Sequence, residues 1–393
     1  MATSFPVGFL WGTATAAHQV EGGNWNNDWW AWEHTPGSPC QEPSGDACDQ
    51  YHRYAEDLDL LARLGFRAYR FSLEWSRIEP EDGEFSHAAL EHYRRVCAAC
   101  RERDLEPIVT FHHFTTPRWL AARGGWAERA TAERFARFCA RAARHLGDLV
   151  ARICTLNEPN IVADVGYRWG LFPPGRRDPD LRLRVNDVFI DAHRRAVAAI
   201  RDAGLRVPIG LTLAMQDYQA VDGGEAVRDR ERRDMEDVYL EAARGDDFLG
   251  VQTYTRVRFG PDGLRSPEPG VRLTQMGYEF WPEALAACLR RAATMAPSVP
   301  LLVTENGIGT DDDAERIEYV ERALRGVLAC LVDGLDVRGY VYWSLLDNFE
   351  WAFGYRPKFG LVAVDRETQA RRPKPSAAWL GAIARAGALA DAP

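Results

Sequence analysis

Two glutamates stand at positions where a pair of carboxyl groups could act on a glycosidic bond. Glu158 comes two residues after the apolar run 152–156, and Glu305 directly follows the run 301–304. Hydrolysis of such a bond needs one carboxyl to protonate the leaving oxygen and one carboxylate on the other side of the sugar. A carboxyl separation of about 5–5.5 Å gives retention through a covalent intermediate, and about 6.5–9.5 Å gives inversion. The residues predict a carboxylate pair and leave both outcomes open.

Other polar and aromatic residues follow or end apolar runs in the same way. They are Gln19 and Glu21, Arg70 and Glu74, His112 and His113, Asn157, Tyr254, Trp343, and Glu350 with Trp351. If the runs are parallel strands of one barrel, these residues share the end where βα loops open and active sites form. We therefore expect them to surround the two glutamates.

Eight short runs rich in β-branched and aromatic residues predict the strands that would hold these residues. The runs are 9–15, 68–73, 107–111, 152–156, 208–213, 248–253, 301–304 and 339–344. Amphipathic stretches with helical spacing separate most of them, for example 54–64, 90–103, 132–145 and 188–203. Runs that are apolar throughout are typical of parallel strands covered on both faces. The pattern predicts an α/β fold: one (β/α)8 TIM barrel with inserted βα loops.

The chain shows no linker or low-complexity break, so residues 1–393 are expected to form a single catalytic domain with a flexible tail of about ten residues. A doubly wound open sheet is the alternative architecture. It would place a glycine-rich phosphate turn after the first strand. Residues 12–18 read Gly-Thr-Ala-Thr-Ala-Ala-His instead, which favours the barrel.

The composition limits the partners. A net charge of −9 disfavours nucleic acid and anionic membranes, which need concentrated positive charge. The first ten residues have no signal-peptide pattern, and no apolar run reaches the length of a membrane span, so a cytoplasmic location is expected. Cys97 and Cys100 have redox-motif spacing but lie in a helical pattern, without a second pair that could complete a zinc site. We expect no metal, no cofactor and a small-molecule substrate.

The ordered set of motifs resembles glycoside hydrolase family 1, the β-glucosidase and β-galactosidase family, from residue 9 to about residue 379. The motifs are Gln-Val-Glu-Gly at 19–22, Tyr-Arg-Phe-Ser at 69–72, Trp-Ser-Arg-Ile at 75–78, His-His at 112–113, Thr-Leu-Asn-Glu-Pro at 155–159, Thr-Glu-Asn-Gly at 304–307, Trp-Ser-Leu-Leu-Asp-Asn-Phe-Glu-Trp at 343–351 and Phe-Gly-Leu-Val at 359–362. The resemblance implies a retaining exo-β-glycosidase.

The resemblance also implies a role for each matching residue. Glu158 would be the general acid and later the base, Glu305 the nucleophile, and Arg70 and Tyr254 would hydrogen-bond the nucleophile. The remaining matches would hold the sugar. Its hydroxyls would be bound by Gln19, His113, Asn157, Glu350 and Trp351, and Trp343 would lie under its ring, beside an unusual cis peptide. Phe359 would be either a wall near the primary hydroxyl or a plain core residue. Glutamate at 158 argues against the thioglucosidase branch, and Glu350-Trp351 argues against the 6-phospho branch. Unphosphorylated β-glucosides, fucosides or galactosides are the expected substrates.

Two segments depart from the family pattern. Residues 252–254 read Gln-Thr-Tyr where the family usually has Asn followed by two aromatic residues, and residues 113–117 read His-Phe-Thr-Thr-Pro. The longer Gln252 moves an amide near the reacting sugar. A transglycosidase with a non-water acceptor and a silent sugar-binding homologue are the alternative functions.

Several nearby residues fit a supporting role better than a chemical one. Glu21 and Glu74 are expected in ion-pair networks, and His18 and His112 in the core. The tryptophan cluster at 25–32 could line the cleft or hold its loop down.

Overall fold

Eight parallel strands close into a barrel in the computed structural model, which describes residues 4–390. The strands are β1 Leu10–Ala14, β2 Ala68–Ser72, β3 Glu106–His113, β4 Arg152–Asn157, β5 Ile209–Ala214, β6 Phe248–Gln252, β7 Leu301–Glu305 and β8 Val337–Trp343. Each strand pairs with the next along the chain, and β8 pairs with β1. The predicted (β/α)8 barrel is confirmed.

Two strands extend further than the apolar runs predict. The ladder between β3 and β4 continues through His112 with Leu156 and His113 with Asn157. The histidines therefore lie in β3, not after it, because backbone pairing to β4 continues beyond the apolar residues.

Long helices cover the outside of the barrel. They are α1 Gln50–Leu64, α2 His87–Arg101, α3 Ala130–Leu146, α4 Pro179–Asp202, α5 Glu225–Arg232, α6 Ala284–Met295, α7 Asp313–Val332 and α8 Pro375–Ala386. Helix α4 begins nine residues before the predicted start at 188, because Asp178 caps it by accepting a hydrogen bond from the Leu181 amide and Pro179 suits the first turn. In α2, Cys97 and Cys100 are buried, and burial raises the pKa of Cys97 to about 12, as expected for core thiols.

Short elements fill the βα loops. The short helices in these loops are Ala17–Val20, Asp28–Glu33, Trp75–Ile78, Arg118–Ala121 and Pro159–Ala163, whereas Val238–Ala242 continues from α5 toward β6. Strands Asp217–Ala220, Arg256–Gly260 and Gly263–Leu264 form a small sheet, and Val362–Val364 pairs with Arg371–Pro373. These insertions build the rim around the upper end of the barrel.

Two apolar cores alternate across the strands. In β2, Tyr69 and Phe71 join the cluster between barrel and helices, whereas Ala68 belongs to the cluster inside the barrel. Successive strand residues point to opposite faces, so Arg70 shares the interior face with Ala68. A charged side chain in the barrel interior needs an ionic partner, because burying an unpaired charge is costly.

The end of the described chain is packed onto the barrel. Residues up to Ala386 belong to α8, Leu389 is buried, and Ala388 forms a β-bridge with Ser4. Of the ten residues expected to form a flexible tail, 384–386 thus belong to α8, and residues 391–393 lie outside the described residues. Within 4–390, none of the helices combines the length and apolar character that crossing a bilayer requires.

The tight spacing of β5 and β6 gives a stability prediction. A Cβ on Gly210 would lie 2.1 Å from the carbonyl oxygen of Phe248, a backbone atom that cannot move without separating the strands. We expect Gly210→Ala to lower the free energy of unfolding by about 1–3 kcal/mol, as overpacking does. Gly245→Ala is the control, because the space around that Cβ is open. Thermal unfolding followed by circular dichroism measures both; equal midpoints would contradict the prediction.

Candidate active site

Glu158 and Glu305 both lie at the carboxyl ends of their strands. Glu158 directly follows β4 and precedes the short helix that starts at Pro159, and Glu305 is the last residue of β7. The two residues are 8% and 3% exposed. Glu158 has a φ of 44°, the left-handed region that non-glycine residues rarely adopt. Such conformations persist where the surrounding structure enforces them, often at functional sites.

The ladders beside both glutamates change register. The pairing of β4 with β5 shifts between Cys154 and Asn157, and the pairing of β7 with β6 shifts between Val303 and Glu305. A register shift of this kind changes the direction in which the following side chain points. Successive strand residues normally point to opposite faces. The register shift allows Thr304 and Glu305, although consecutive, both to contact residues of the site.

Arg70 and Tyr254 hold the two oxygens of Glu305. The Arg70 guanidinium donates from Nη1 to Oε1 at 2.5 Å, and the Tyr254 hydroxyl donates to Oε2 at 2.6 Å. Arg70 is fully buried and also donates from Nη2 to the amide oxygen of Asn157. The amide nitrogen of Asn157 consequently faces His113 Nε2, 3.2 Å away. One cation thus orients both a carboxylate and a neighbouring amide.

Gln252 connects to the other carboxyl. Its amide nitrogen donates to Oε1 of Glu158 at 2.8 Å, and its amide oxygen accepts from the Thr304 hydroxyl at 3.1 Å. A Cβ on Gly250 would lie 2.7 Å from that hydroxyl, so the glycine leaves the space that Thr304 occupies. The departure from the family pattern at 252 therefore lies within the carboxylate pair.

The two carboxyls have different electrostatic surroundings. Burial raises the pKa of Glu158 well above its usual range, and the charge of Glu305 raises it further. Burial also raises the pKa of Glu305, but the Arg70 cation and the Tyr254 hydrogen bond act in the opposite direction. Glu305 is therefore the carboxyl that ionises first, while Glu158 keeps its proton. Separate acid and base roles require such a difference.

Polar and aromatic groups surround the carboxyls. The Gln19 amide donates to Oε2 of Glu350 at 3.3 Å, and burial followed by the charge of Glu305 raises the pKa of Glu350 to about 8. The His113 ring stacks between Trp343 and Trp351, with centroids 5.8 Å and 6.0 Å away. The structure thus brings these predicted site residues together.

Two further sequence expectations concern Trp343 and Phe359. The peptide between Trp343 and Ser344 is cis, as the resemblance implies. Phe359 packs edge-on against Tyr254 and joins Trp343 in the cluster inside the barrel. It therefore supports the tyrosine that holds Glu305.

The residues expected to play supporting roles lie in packed networks. Glu21 accepts hydrogen bonds from Tyr93 and Arg77, and Glu74 caps the short helix that begins at Trp75. His112 lies against Trp126, Phe135 and Phe189, and burial lowers its pKa to about 3.

In the tryptophan cluster, Trp29 is buried and packs on Trp351 at a centroid distance of 4.6 Å, whereas Trp25 is 62% exposed. Trp29 therefore holds the loop against the site wall, one of the two roles left open.

Three residues of the site have no role assigned to them by the sequence analysis, although one of them, Thr304, stands in a family motif. Thr212 contacts both Arg70 and Asn157, and Thr304 orients Gln252. Burial, with the charges of Glu350 and Glu158, raises the pKa of Tyr278, which places this loop residue beside them. Threonines within apolar runs read as ordinary strand residues, and Tyr278 lies outside every strand, so only Thr304 had a local signal, its place before Glu305.

Comparisons of the sequence and of the structure with known proteins point to the same family. Residues 1–242 and 252–388 match the family model described as glycosyl hydrolase family 1. The chain is 37% identical to thermostable beta-glucosidase B of Thermobispora bispora, over 98% of this chain and 92% of that protein. It is 35% identical to the bifunctional beta-D-glucosidase/beta-D-fucosidase of Bifidobacterium breve, over 96% and 98%. The crystal structure of beta-glycosidase BGL167 superposes with a TM-score of 0.91 at 50% identity, covering 99% of each chain.

The charge coupling between the carboxyls can be tested directly. In Glu305→Gln the like charge beside Glu158 is removed, so the pKa of Glu158 should fall, which titration by carboxyl carbon NMR would detect. Glu236→Gln is the control, because burial raises the pKa of Glu236 to about 8 and its neutral form resembles the amide. An unchanged Glu158 titration in Glu305→Gln would show that the carboxyls do not interact.

Proposed function

The chain belongs to glycosyl hydrolase family 1, whose members are retaining, exo-acting β-glycosidases, and we propose that Glu305 and Glu158 carry out this hydrolysis. The observation that carries the assignment is the unequal treatment of the two carboxyls. Glu305 is held by a buried cation and a phenol hydroxyl, whereas Glu158 receives an amide donor and no cation at hydrogen-bond distance among the described residues. An ionised nucleophile and a protonated acid follow from this difference.

In the first step, the Glu305 carboxylate attacks the anomeric carbon while the Glu158 proton passes to the glycosidic oxygen. The carbon–oxygen bond to the aglycone breaks, and a glycosyl ester on Glu305 forms. In the second step, Glu158 takes a proton from water as the water oxygen attacks the same carbon, and the ester bond returns its electrons to Glu305. Two inversions give net retention.

Arg70 and Tyr254 support both steps. They bind the Glu305 carboxylate without neutralising it by proton transfer, so the oxygens remain nucleophilic and return to the same position after each turnover. When the ester forms, Glu305 loses its charge and the pKa of Glu158 should fall. The group that was an acid in the first step is then suited to act as a base.

We assign the glycone site to Gln19, His113, Asn157, Glu350 and Trp351, with Trp343 as the platform for the ring. Gln19 is buried, Glu350 is half-buried, and the two are hydrogen-bonded to each other, so they can exchange this contact for vicinal sugar hydroxyls. Above about pH 8, where Glu350 is ionised, its carboxylate would repel a phosphate dianion, and unphosphorylated sugars are proposed as the substrates. β-Glucosides, β-fucosides and β-galactosides are the proposed substrates, and the name of the Bifidobacterium breve relative includes the first two.

The whole chain is proposed to act as one catalytic domain. Helix α8 packs on α7 and α1, and strand β8 closes on β1, so the two ends of the chain meet in the same barrel. All eight cysteines are free thiols, which supports a reducing compartment such as the cytoplasm.

Removal of the nucleophile tests the role of Glu305. Glu305→Gly should reduce kcat on aryl β-glucosides by several decades, because the covalent step is lost, and azide should restore part of the activity. Azide would attack from the vacated side, so the product should be the α-glycosyl azide, identified by proton NMR. A β-glycosyl azide from this variant would reverse the roles of the two glutamates.

Removal of the acid gives a different signature. Glu158→Ala should lose activity mainly on substrates with poor leaving groups, by about 10²–10⁴-fold, because activated phenols leave without protonation. Kinetics on a series of aryl and alkyl β-glucosides measure the difference. Equal losses across the series would contradict the assignment of Glu158.

A further inference from the structure

Gln252 contacts the proposed acid, Glu158, but the proposed roles assign it no part in the reaction. It is fully buried at the end of β6, and its contacts run to Glu158 at the end of β4 and to Thr304 on the neighbouring strand β7. One contact reaches Glu158, 94 residues earlier in the chain, and the other reaches Thr304, 52 residues later. A buried amide with both ends bonded has a defined orientation, because leaving either end unpaired costs free energy.

The Thr304 hydroxyl pairs with the end of the amide that faces away from the acid. It donates to the amide oxygen of Gln252 at 3.1 Å, while the amide nitrogen of Gln252 donates to Glu158 at 2.8 Å. Gly250, two residues earlier on β6, leaves the room for this hydroxyl, since a Cβ there would lie 2.7 Å from it. The orientation of the amide is thus built into two adjacent strands.

The amide nitrogen restricts where Glu158 can carry its proton. An amide N–H needs an acceptor lone pair, and a protonated Oε1 would place two donors against each other. While Oε1 accepts from Gln252 at 2.8 Å, the proton of Glu158 is carried on Oε2. An acid must present its proton to the leaving oxygen within hydrogen-bond reach.

We propose that Gln252 is a positioning residue for catalysis, which binds Oε1 of Glu158 and thereby keeps the transferable proton on Oε2. The inference rests on the proposed role of Glu158 as the acid and deepens it. The added length of glutamine supplies the reach: an asparagine at 252 would place its amide one methylene further from Glu158.

The same contact affects the pH dependence of the acid. A donor to the carboxylate stabilises the ionised form, so Gln252 lowers the pKa of Glu158 against the larger upward effect of burial. Other charged or titratable groups also face Glu158: Glu305 on β7, Arg70 on β2, Glu350 after β8, and the hydroxyls of Tyr254 and Tyr278. Of these, Glu305 also has its pKa lowered by Gln252, so removing the amide should raise the pKa of both carboxyls. Removing the amide should raise the pKa of Glu158, and the alkaline limb of kcat/KM should move to higher pH.

The test compares two glutamine-to-methionine variants. Gln252→Met keeps the side-chain volume and removes the amide. Gln50→Met makes the same change at a buried glutamine whose amide nitrogen donates to Asp57 at 3.1 Å and whose oxygen accepts from Tyr69, outside the proposed active site. Both variants and the unaltered enzyme are assayed on aryl and alkyl β-glucosides over a pH range, with kcat and KM determined separately.

We expect Gln252→Met to lose about ten- to hundredfold in kcat on poor leaving groups and less than tenfold on activated phenols, as loss of a hydrogen bond to a charged group implies. Its alkaline limb should move to higher pH, and Gln50→Met should change neither property. Gln252→Asn should fall between Gln252→Met and the unaltered enzyme. Thr304→Val retains the glutamine but frees its orientation, and should change kcat in the same direction by a smaller factor.

Two results would overturn the inference. One is a Gln252→Met enzyme whose leaving-group dependence and pH profile match those of Gln50→Met. The other is a rise in KM with kcat unchanged, which would assign the amide to sugar binding. If Gln252→Met does not fold, an unchanged kcat and pH profile in Thr304→Val would overturn it instead.

The Glu158→Ala variant distinguishes failure of this inference from failure of the proposed function. If Glu158→Ala also lacks leaving-group dependence, the acid assignment itself fails. If only the Gln252 and Thr304 variants lack it, the failure is confined to this inference.

Discussion

The site depends on one buried cation placed beside two buried carboxyl groups. Arg70 is fully buried, and a guanidinium in that environment is tolerated only when it is paired and hydrogen-bonded. Glu305, Asn157 and Thr212 supply those partners from β7, β4 and β5. Removing one member of such a buried pair typically costs about 3–5 kcal/mol, because the other charge is left uncompensated. The requirement to satisfy Arg70 thus fixes the positions of groups from three other strands.

The same cation makes the two glutamates unequal. It lies at hydrogen-bond distance from Glu305 and acts on Glu158 only over a longer distance, as one of the smaller influences on that carboxyl. Burial raises the pKa of both groups, so the environment alone would keep both protonated. The position of Arg70 makes Glu305 the first carboxyl to ionise, and the negative charge of Glu305 then helps to hold the proton on Glu158. The acid–nucleophile division follows from where a single positive charge sits.

Aromatic residues form part of the wall of this centre. His113 lies between Trp343 and Trp351, and Trp351 rests on buried Trp29 from the loop after β1. The low dielectric that these rings create strengthens every charge interaction beneath them. Trp29 and Trp351 are more than three hundred residues apart in the sequence, yet they meet the ends of β3 and β8 because all parallel strands of a barrel end on one side.

The barrel itself could be predicted from the sequence. Strands buried on both faces need continuous apolar runs, and covering helices need one apolar stripe. The alternation of these two local patterns along the chain is therefore enough to predict the barrel. The candidate carboxyls were also visible, since Glu158 and Glu305 follow such runs and lie within motifs of the family to which the chain belongs.

Only the tertiary structure decided the contacts between these residues. The register shifts beside Asn157 and Glu305 arise from pairing with neighbouring strands, and nothing in the local sequence marks them. Gln252 reads as a departure from a family pattern, but its bond to Glu158 depends on the positions of two strands and on the Thr304 hydroxyl. Composition determines which residues are buried; three-dimensional pairing determines which buried polar groups can satisfy one another, and the chemistry depends on the second.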